Sequence, residues 1–137
     1  QEDTMRSHAA LHSLTECEPL IDTAVHFAAQ LLRWSDNVFP FAVMSIDGDI
    51  QNVFGDDRSQ VDGGMIEELE WLITERSFQA QNTASVLVYL ACVENAEQSL
   101  SDVIVTHIHD TSGSEITRLY PYYISSNGVD IGQPTVY

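Results

Sequence analysis

The chain has 137 residues, of which 44% are hydrophobic and 19% are charged, and these values are typical of one globular domain rather than a disordered or membrane-embedded chain. Acidic residues outnumber basic ones by 21 to 5, which gives a formal net charge of −16. Such a charge repels phosphate backbones and anionic lipids, so we expect no nucleic acid and no membrane as partners. It favours a basic protein partner, although a solubilising surface explains the same charge.

The cysteines and the hydrophobic runs bear on the compartment. Cys17 and Cys92 form no Cys-x-x-Cys pair, which excludes a zinc site made of cysteines. We expect both to be free, buried thiols, with one Cys17–Cys92 disulfide as the alternative. Free thiols favour a cytoplasmic location. The first ten residues lack the features of a signal peptide, and no apolar run approaches the roughly 18 residues of a membrane span.

The first element in chain order is a helix over residues 15–34. Thr15 and Glu18 form a capping box at its start, and Pro19 falls early enough to be tolerated. The hydrophobic residues recur at helical spacing as one stripe, which comprises Leu20, Ile21, Ala24, Val25, Ala28, Leu31 and Leu32. The pattern predicts that this stripe packs against another layer, and that residues 1–13 are a terminal extension.

A hairpin is predicted next, with strands over residues 41–46 and 49–54. Asp47-Gly48 joins them, and this dipeptide indicates a type I′ turn because both central residues of that turn need positive φ.

A second helix is predicted over residues 59–78, with its apolar face formed by Val61, Met65, Leu69, Leu72 and Ile73. Gly63-Gly64 would cost about 1 kcal/mol per glycine inside a helix. The start of this helix is therefore predicted only to within a turn.

Three strands are predicted in the last part of the chain, over residues 84–93, 102–110 and 115–124. The first of them is apolar on both faces, which predicts a central strand that is covered on both sides. The predicted fold is thus α+β, one five-stranded antiparallel sheet with two helices, in the order α-β-β-α-β-β-β. Residues 125–137 are predicted to be a terminal extension that turns back along the sheet or pairs with another chain. The second option makes a homodimer a candidate.

Two resemblances accompany this prediction. The order of elements resembles that of the roadblock and profilin-like families, which implies a scaffold or ligand-binding module rather than an enzyme. Pro40-Phe41-Ala42 before a strand, Asp47-Gly48 in the hairpin and Tyr120-Pro121-Tyr122 in the last strand resemble a group of small uncharacterised bacterial α+β proteins. That resemblance covers most of the chain and implies no activity.

A histidine pair is the candidate metal site. His107 and His109 share one face of the predicted strand because strand side chains alternate, and two imidazoles could bind one transition-metal ion. Asp110 is the nearest third ligand, but a regular strand points it to the opposite face. Solvent-facing histidines near a strand end explain the pair more simply. The sequence predicts no cofactor, and it contains no nucleophile elbow.

Aromatic residues supply the candidate binding surface, because aromatic rings with a polar edge are enriched at interfaces. The candidates for a ligand site or an interface are Trp34, Tyr89, Tyr120, Tyr122 and Tyr123. The sequence therefore favours a non-enzymatic binding or protein-interaction module. The alternative is a small metal-dependent hydrolase that uses His107 and His109.

Overall fold

The computed structural model describes residues 2–34, 38, 40–54, 64–80, 82–94 and 99–136, with side chains from Cys17 onward. Within these residues the elements are α1 (Glu2–Trp34), β1 (Phe41–Ile46), β2 (Asp49–Phe54), α2 (Gly64–Phe78), β3 (Thr83–Glu94), β4 (Leu100–His109), β5 (Glu115–Ser125), β6 (Gly128–Ile131) and β7 (Thr135–Val136). No helix among them is both long enough and apolar enough to cross a membrane.

The sheet is antiparallel throughout, with the strands in the order β2-β1-β3-β4-β5-β6 and β7 paired with β5. The predicted α+β class, with two helices and an antiparallel sheet, is confirmed. The prediction of five strands in the order α-β-β-α-β-β-β is wrong, because two more strands follow β5. Asn127 and Gly128, whose φ is +132°, turn the chain back, and Val129 and Ile131 then pair with the end of β5.

The first helix is longer than predicted, since α1 begins at Glu2 and not near Thr15. Residues 2–14 contain neither glycine nor proline, so nothing in the backbone ends the helix there. Pro19 therefore lies inside the helix. Its side chain is exposed, and its ring removes one backbone hydrogen bond from the helix.

The larger part of the core lies between α1 and the sheet. The predicted stripe is confirmed: its buried members are Leu20, Ile21, Ala24, Ala28 and Leu32, with Val25 and Leu31 partly buried. Phe41 of β1 is fully buried against this layer, and its ring meets that of Phe27 edge-on at a centroid distance of 5.1 Å. Arg118 of β5 donates to Glu18 of α1 at 2.8 Å, and this ion pair links the helix to strand β5.

The second helix covers the opposite face with fewer contacts. Leu69 is fully buried and Met65 nearly so, and Leu69 forms a cluster with Ala42, Met44, Val53 and Leu87. Val61 and the rest of the predicted start, up to residue 63, lie outside the described residues. Since α2 packs mainly on β1 and β3, it covers only half of this face of the sheet.

The hairpin turn has the predicted geometry. Asp47 and Gly48 have φ values of +50° and +92°, as a type I′ turn requires. The turn is also bonded to the loop before β3: Asp47 N donates to Asn82 O at 2.8 Å, and Asn82 N donates to Asp47 Oδ1 at 3.0 Å. The backbone N–H and the side-chain carboxylate of Asp47 therefore both fix the turn to this loop.

Neither cysteine forms a disulfide bond. Cys17 is buried in the α1 layer as predicted, but the prediction of a buried Cys92 is wrong. Burial falls off along β3 beyond Val88, because the end of this strand projects past the covering helices, and Cys92 lies in that exposed part.

Candidate functional site

The strand register brings polar side chains together on the face that α2 only half covers. Ser85 of β3 lies opposite His109 of β4, which in turn lies opposite Glu115 of β5. In the next row on the same face, His107 lies between Leu87 and Thr117. Residues directly opposite each other in an antiparallel sheet share a face, so both histidines point to the α2 side, as strand alternation predicts.

A cleft of about 640 Å³ separates this face from α2, and we call it the α2 cleft. Its helix wall includes Glu70, Ile73, Thr74, Ser77 and Phe78, and its sheet side includes Ser85, Leu87, His107, His109, Glu115, Ile116 and Thr117. The volume lies within the range of roughly 300–1,000 Å³ that is typical of small-molecule sites. The lining mixes apolar side chains with several hydrogen-bonding groups, which is also typical of such sites.

His107 is held by hydrogen bonds at both ring nitrogens. Its Nε2 lies 2.8 Å from the hydroxyl of Tyr89, and its Nδ1 lies 2.8 Å from Thr117 Oγ1. The phenol is the stronger donor of the two hydroxyl groups, so we assign Tyr89 as the donor to Nε2 and Nδ1–H as the donor to Thr117. The three side chains form one chain of hydrogen bonds across β3, β4 and β5.

Burial shifts the pKa values of Tyr89 and His107 in this chain of hydrogen bonds. Desolvation lowers the pKa of His107 below its ordinary value of 6.5, and the nearby carboxylates of Glu70 and Glu115 oppose part of that effect. Desolvation also raises the pKa of Tyr89, and Glu70 adds to the rise. At neutral pH the imidazole is therefore neutral and the phenol keeps its proton, as the assigned hydrogen bonds require.

We expect the ring of His107 to titrate below pH 6.5. Because the folded protein holds this proton more weakly than the unfolded chain does, protonation favours unfolding. The free energy of unfolding should therefore fall as the pH drops below 6.5, with no contribution from this group at higher pH. An NMR titration of the histidine ring signals measures the pKa directly.

A His107→Gln variant is the matched control for that titration. Its free energy of unfolding, measured in urea at pH 7.5 and 5.5, should drop less between the two values than that of the unaltered chain. An equal drop in both proteins would show that titratable groups other than His107 cause the acid sensitivity.

His109 is in a different environment, although it lies only two residues away. Its Nδ1 is 3.3 Å from Glu115 Oε1, and both side chains are exposed. Asp110, the proposed third ligand, does not face the pair: its Oδ1 accepts hydrogen bonds from the backbone N–H groups of Ser112 and Ser114 and from the Ser112 hydroxyl. The Asp110 carboxylate thus stabilises the turn between β4 and β5.

Metal binding at the histidine pair would need rearrangement. Within the described residues, no three His, Cys, Asp or Glu side chains are grouped closely enough to hold a metal ion. His107 would also have to give up one of its two hydrogen bonds to become a ligand. The metal-dependent hydrolase remains a prediction from the sequence.

Ser85 has the most unusual environment in the α2 cleft. Its side chain is only 2% exposed, and its Oγ has no hydrogen-bond partner among the residues that the structure describes. A buried hydroxyl without a partner costs about 1–3 kcal/mol. Thr106, which is fully buried on the other face of the sheet, shows the normal arrangement, since its Oγ1 donates to Arg118 O at 3.1 Å. The Ser85 hydroxyl therefore reduces the stability of the fold.

Replacing these two hydroxyl groups is expected to have opposite effects. A Ser85→Ala variant should gain about 1 kcal/mol in the free energy of unfolding, because it removes an unpaired polar group at little cost in packing. A Thr106→Val variant should lose about 1 kcal/mol, because it leaves the Arg118 carbonyl without that donor. Urea unfolding of both variants measures the two changes. A loss in Ser85→Ala would mean that its hydroxyl has a partner in solution.

The predicted aromatic candidates do not form one surface. Tyr89 reaches the cleft through its bond to His107, whereas Tyr120 is buried in the α1 layer, where its hydroxyl accepts a bond from Arg118 at 3.2 Å. Tyr122 is half-buried and pairs with Ile131 of β6. Tyr123 is 66% exposed and Trp34, at the end of α1, is 85% exposed.

Four residues of the cleft were missed by the sequence analysis: Glu70, Ser85, Glu115 and Thr117. Each belongs to a residue type that is common on exposed helices and strands, so none carries a signal alone. Only the register of the meander, with Ser85 opposite His109 and Glu115 beyond it, could have indicated the group.

Comparison of the chain with protein-family models, curated proteins and solved structures finds no match. The two resemblances drawn from the sequence stay predictions.

Proposed function

We propose that this domain is a non-enzymatic binding module that holds a small ligand in the α2 cleft. The observation that carries the proposal is the buried Ser85 hydroxyl, which belongs to a residue that lines a cleft of about 640 Å³ and has no hydrogen-bond partner in the described part of the chain. Natural proteins pair nearly all of their buried polar groups. An unpaired one in the lining of a cleft fits a site that is completed by a ligand.

The state of the polar side chains supports binding over catalysis. Ser85, His109 and Glu115 lie in one row and have the residue types of a catalytic triad. However, no imidazole among the described residues is hydrogen-bonded to Ser85 Oγ, so nothing activates it as a nucleophile. His107 uses both ring nitrogens to fix its neighbours.

The metal-dependent hydrolase that uses His107 and His109 is the competing function. It predicts a stoichiometric metal in the purified protein, a melting temperature that rises with zinc and falls with chelator, and loss of the metal in a His107→Ala variant. The binding module predicts that the purified protein holds no metal and that neither zinc nor chelator shifts its melting temperature.

A set of small probes tests the binding function directly. The set contains n-butylamine, n-butanol, butyrate and N-methylacetamide, and the readout is the shift of backbone amide signals in ¹⁵N-labelled protein. We expect at least one probe to shift amides of the residues that line the α2 cleft.

Two tryptophan variants make that experiment specific. Thr74→Trp places a bulky ring in the wall of the cleft, whereas Glu75→Trp places the same ring at an exposed neighbouring position that does not line it. The first variant should abolish the shifts and the second should keep them. Shifts spread over the whole surface, or unaffected by Thr74→Trp, would refute the binding site.

A homodimer and a basic protein partner are proposals that rest on the sequence. The net charge of −16 supports a cationic partner over nucleic acid, since like charges slow association and like-charge contacts weaken the complex.

A further inference from the structure

We infer that the α2 cleft binds a linear alkylammonium group, with its charge near Glu70 and Glu115 and its methylene groups on the apolar part of the lining. The inference rests on the proposed function, because it names the chemical class of the ligand for that same cleft.

Charge is the first support. Glu70 on the helix wall and Glu115 on the sheet side both line the cleft, and both are close enough to influence the imidazole of His107. Within the described residues, the Glu70 carboxylate has no ion-pair partner, and no arginine is among those that line the cleft. The chain contains no lysine. The described lining of the cleft therefore presents negative charge with no arginine or lysine to compensate it.

Hydrogen-bonding capacity is the second, independent support. An ammonium group has three donors and no acceptor, so it suits a site that is rich in oxygen acceptors. The lining offers the carboxylates of Glu70, Asp110 and Glu115 and several hydroxyl groups, among them the Ser85 Oγ, which is buried and has no partner among the described residues. A small shift of the α2 wall would let a ligand donor reach that oxygen, and the new bond would remove the penalty of leaving it unpaired.

The apolar lining accounts for the linear carbon chain. Ile73 of the helix wall and Leu87 of the sheet side lie among the polar groups of the same cleft. Methylene groups can bury against such side chains while the charged end stays near the carboxylates. An anion would meet two like charges in this site, and a neutral alcohol would leave both carboxylates uncompensated.

The probes of equal length separate these classes. We expect n-butylamine to shift the amides of the α2 cleft, and n-butanol and butyrate to shift them at least tenfold less strongly at equal concentration. The affinity for n-butylamine should fall about threefold in Glu70→Gln and in Glu115→Gln, a modest factor because both carboxylates are exposed. It should be unchanged in Glu75→Gln, which removes a charge from the same helix outside the cleft. High salt should weaken binding.

The outcomes distinguish the inference from the function it rests on. Cleft shifts that are as strong with n-butanol or butyrate as with n-butylamine would overturn the ammonium assignment and leave the binding site in place. The absence of cleft shifts with every probe would overturn both.

A second pair of probes identifies the source of the ammonium group. One is 1,4-diaminobutane, a free amine, and the other is the peptide acetyl-Gly-Lys-Gly-amide, which presents a lysine side chain. Tighter binding of the diamine indicates a free small molecule, and tighter binding of the peptide indicates the lysine of a protein partner. If neither probe binds at the cleft, the inference is wrong.

Discussion

A Phe41→Ala variant is expected to lose about 3–5 kcal/mol in its free energy of unfolding, because Phe41 is the largest of the fully buried side chains. It lies at the start of β1, where it pairs with Val88 of the neighbouring strand β3. Its side chain packs against the α1 layer. Its ring also packs edge-on against Phe27. Truncation removes all of these contacts and leaves a cavity that the neighbouring strands cannot close.

Urea unfolding followed by circular dichroism measures this loss. Phe78→Ala is the matched control, because Phe78 is 86% exposed at the end of α2 and its truncation should change the free energy of unfolding by less than about 0.5 kcal/mol. Similar losses in the two variants would mean that Phe41 is not part of the core.

A Leu69→Ala variant is expected to lose about 2–5 kcal/mol, and the effect should concentrate on α2. Leu69 is the fully buried residue of this helix and packs on β1 and β3 with the small cluster around Met44. The helix has few other buried side chains, so the truncation should loosen it from the sheet before the α1 layer is affected.

Amide hydrogen exchange distinguishes that local loosening from global unfolding. In Leu69→Ala, protection should fall more in α2 than in β3 and β4, whereas Phe41→Ala should lower protection across the sheet. Leu100→Ala, at a position that is 75% exposed, should change neither. Because Glu70 and Thr74 lie on α2, the Leu69 variant should also bind the amine probe more weakly.

The local signals of the sequence predicted much of the fold. Asp47-Gly48 indicated the hairpin because few dipeptides tolerate two positive φ values, and the spacing of Ile21, Ala24 and Ala28 identified the buried side of α1. The failures concern endings. The capping-box pattern at Thr15 does not mark the start of α1, because no glycine or proline stops the helix from extending toward Glu2. The strand β6 has only four residues, and these show too little alternation to be distinguished from a loop.

The site was less predictable than the fold. The shared face of His107 and His109 follows from alternation within one strand, but the contacts that define their chemistry come from other strands. Tyr89 and Thr117 reach His107 only because β3 and β5 pair with β4 in one particular register. A shift of one residue would have moved every partner to the other face, and the sequence alone does not fix that register.

The two helices bury the two faces of the sheet to different extents, and this difference has a practical consequence. The α1 side depends on many buried contacts, whereas the helix that forms one wall of the cleft is attached by only a few. Any molecule that bridges this helix to β4 and β5 must slow the opening of the helix more than the opening of the sheet. The exchange rates of the α2 amides can therefore serve as a sensor of occupancy in crude extracts, before the chemical identity of the bound compound is known.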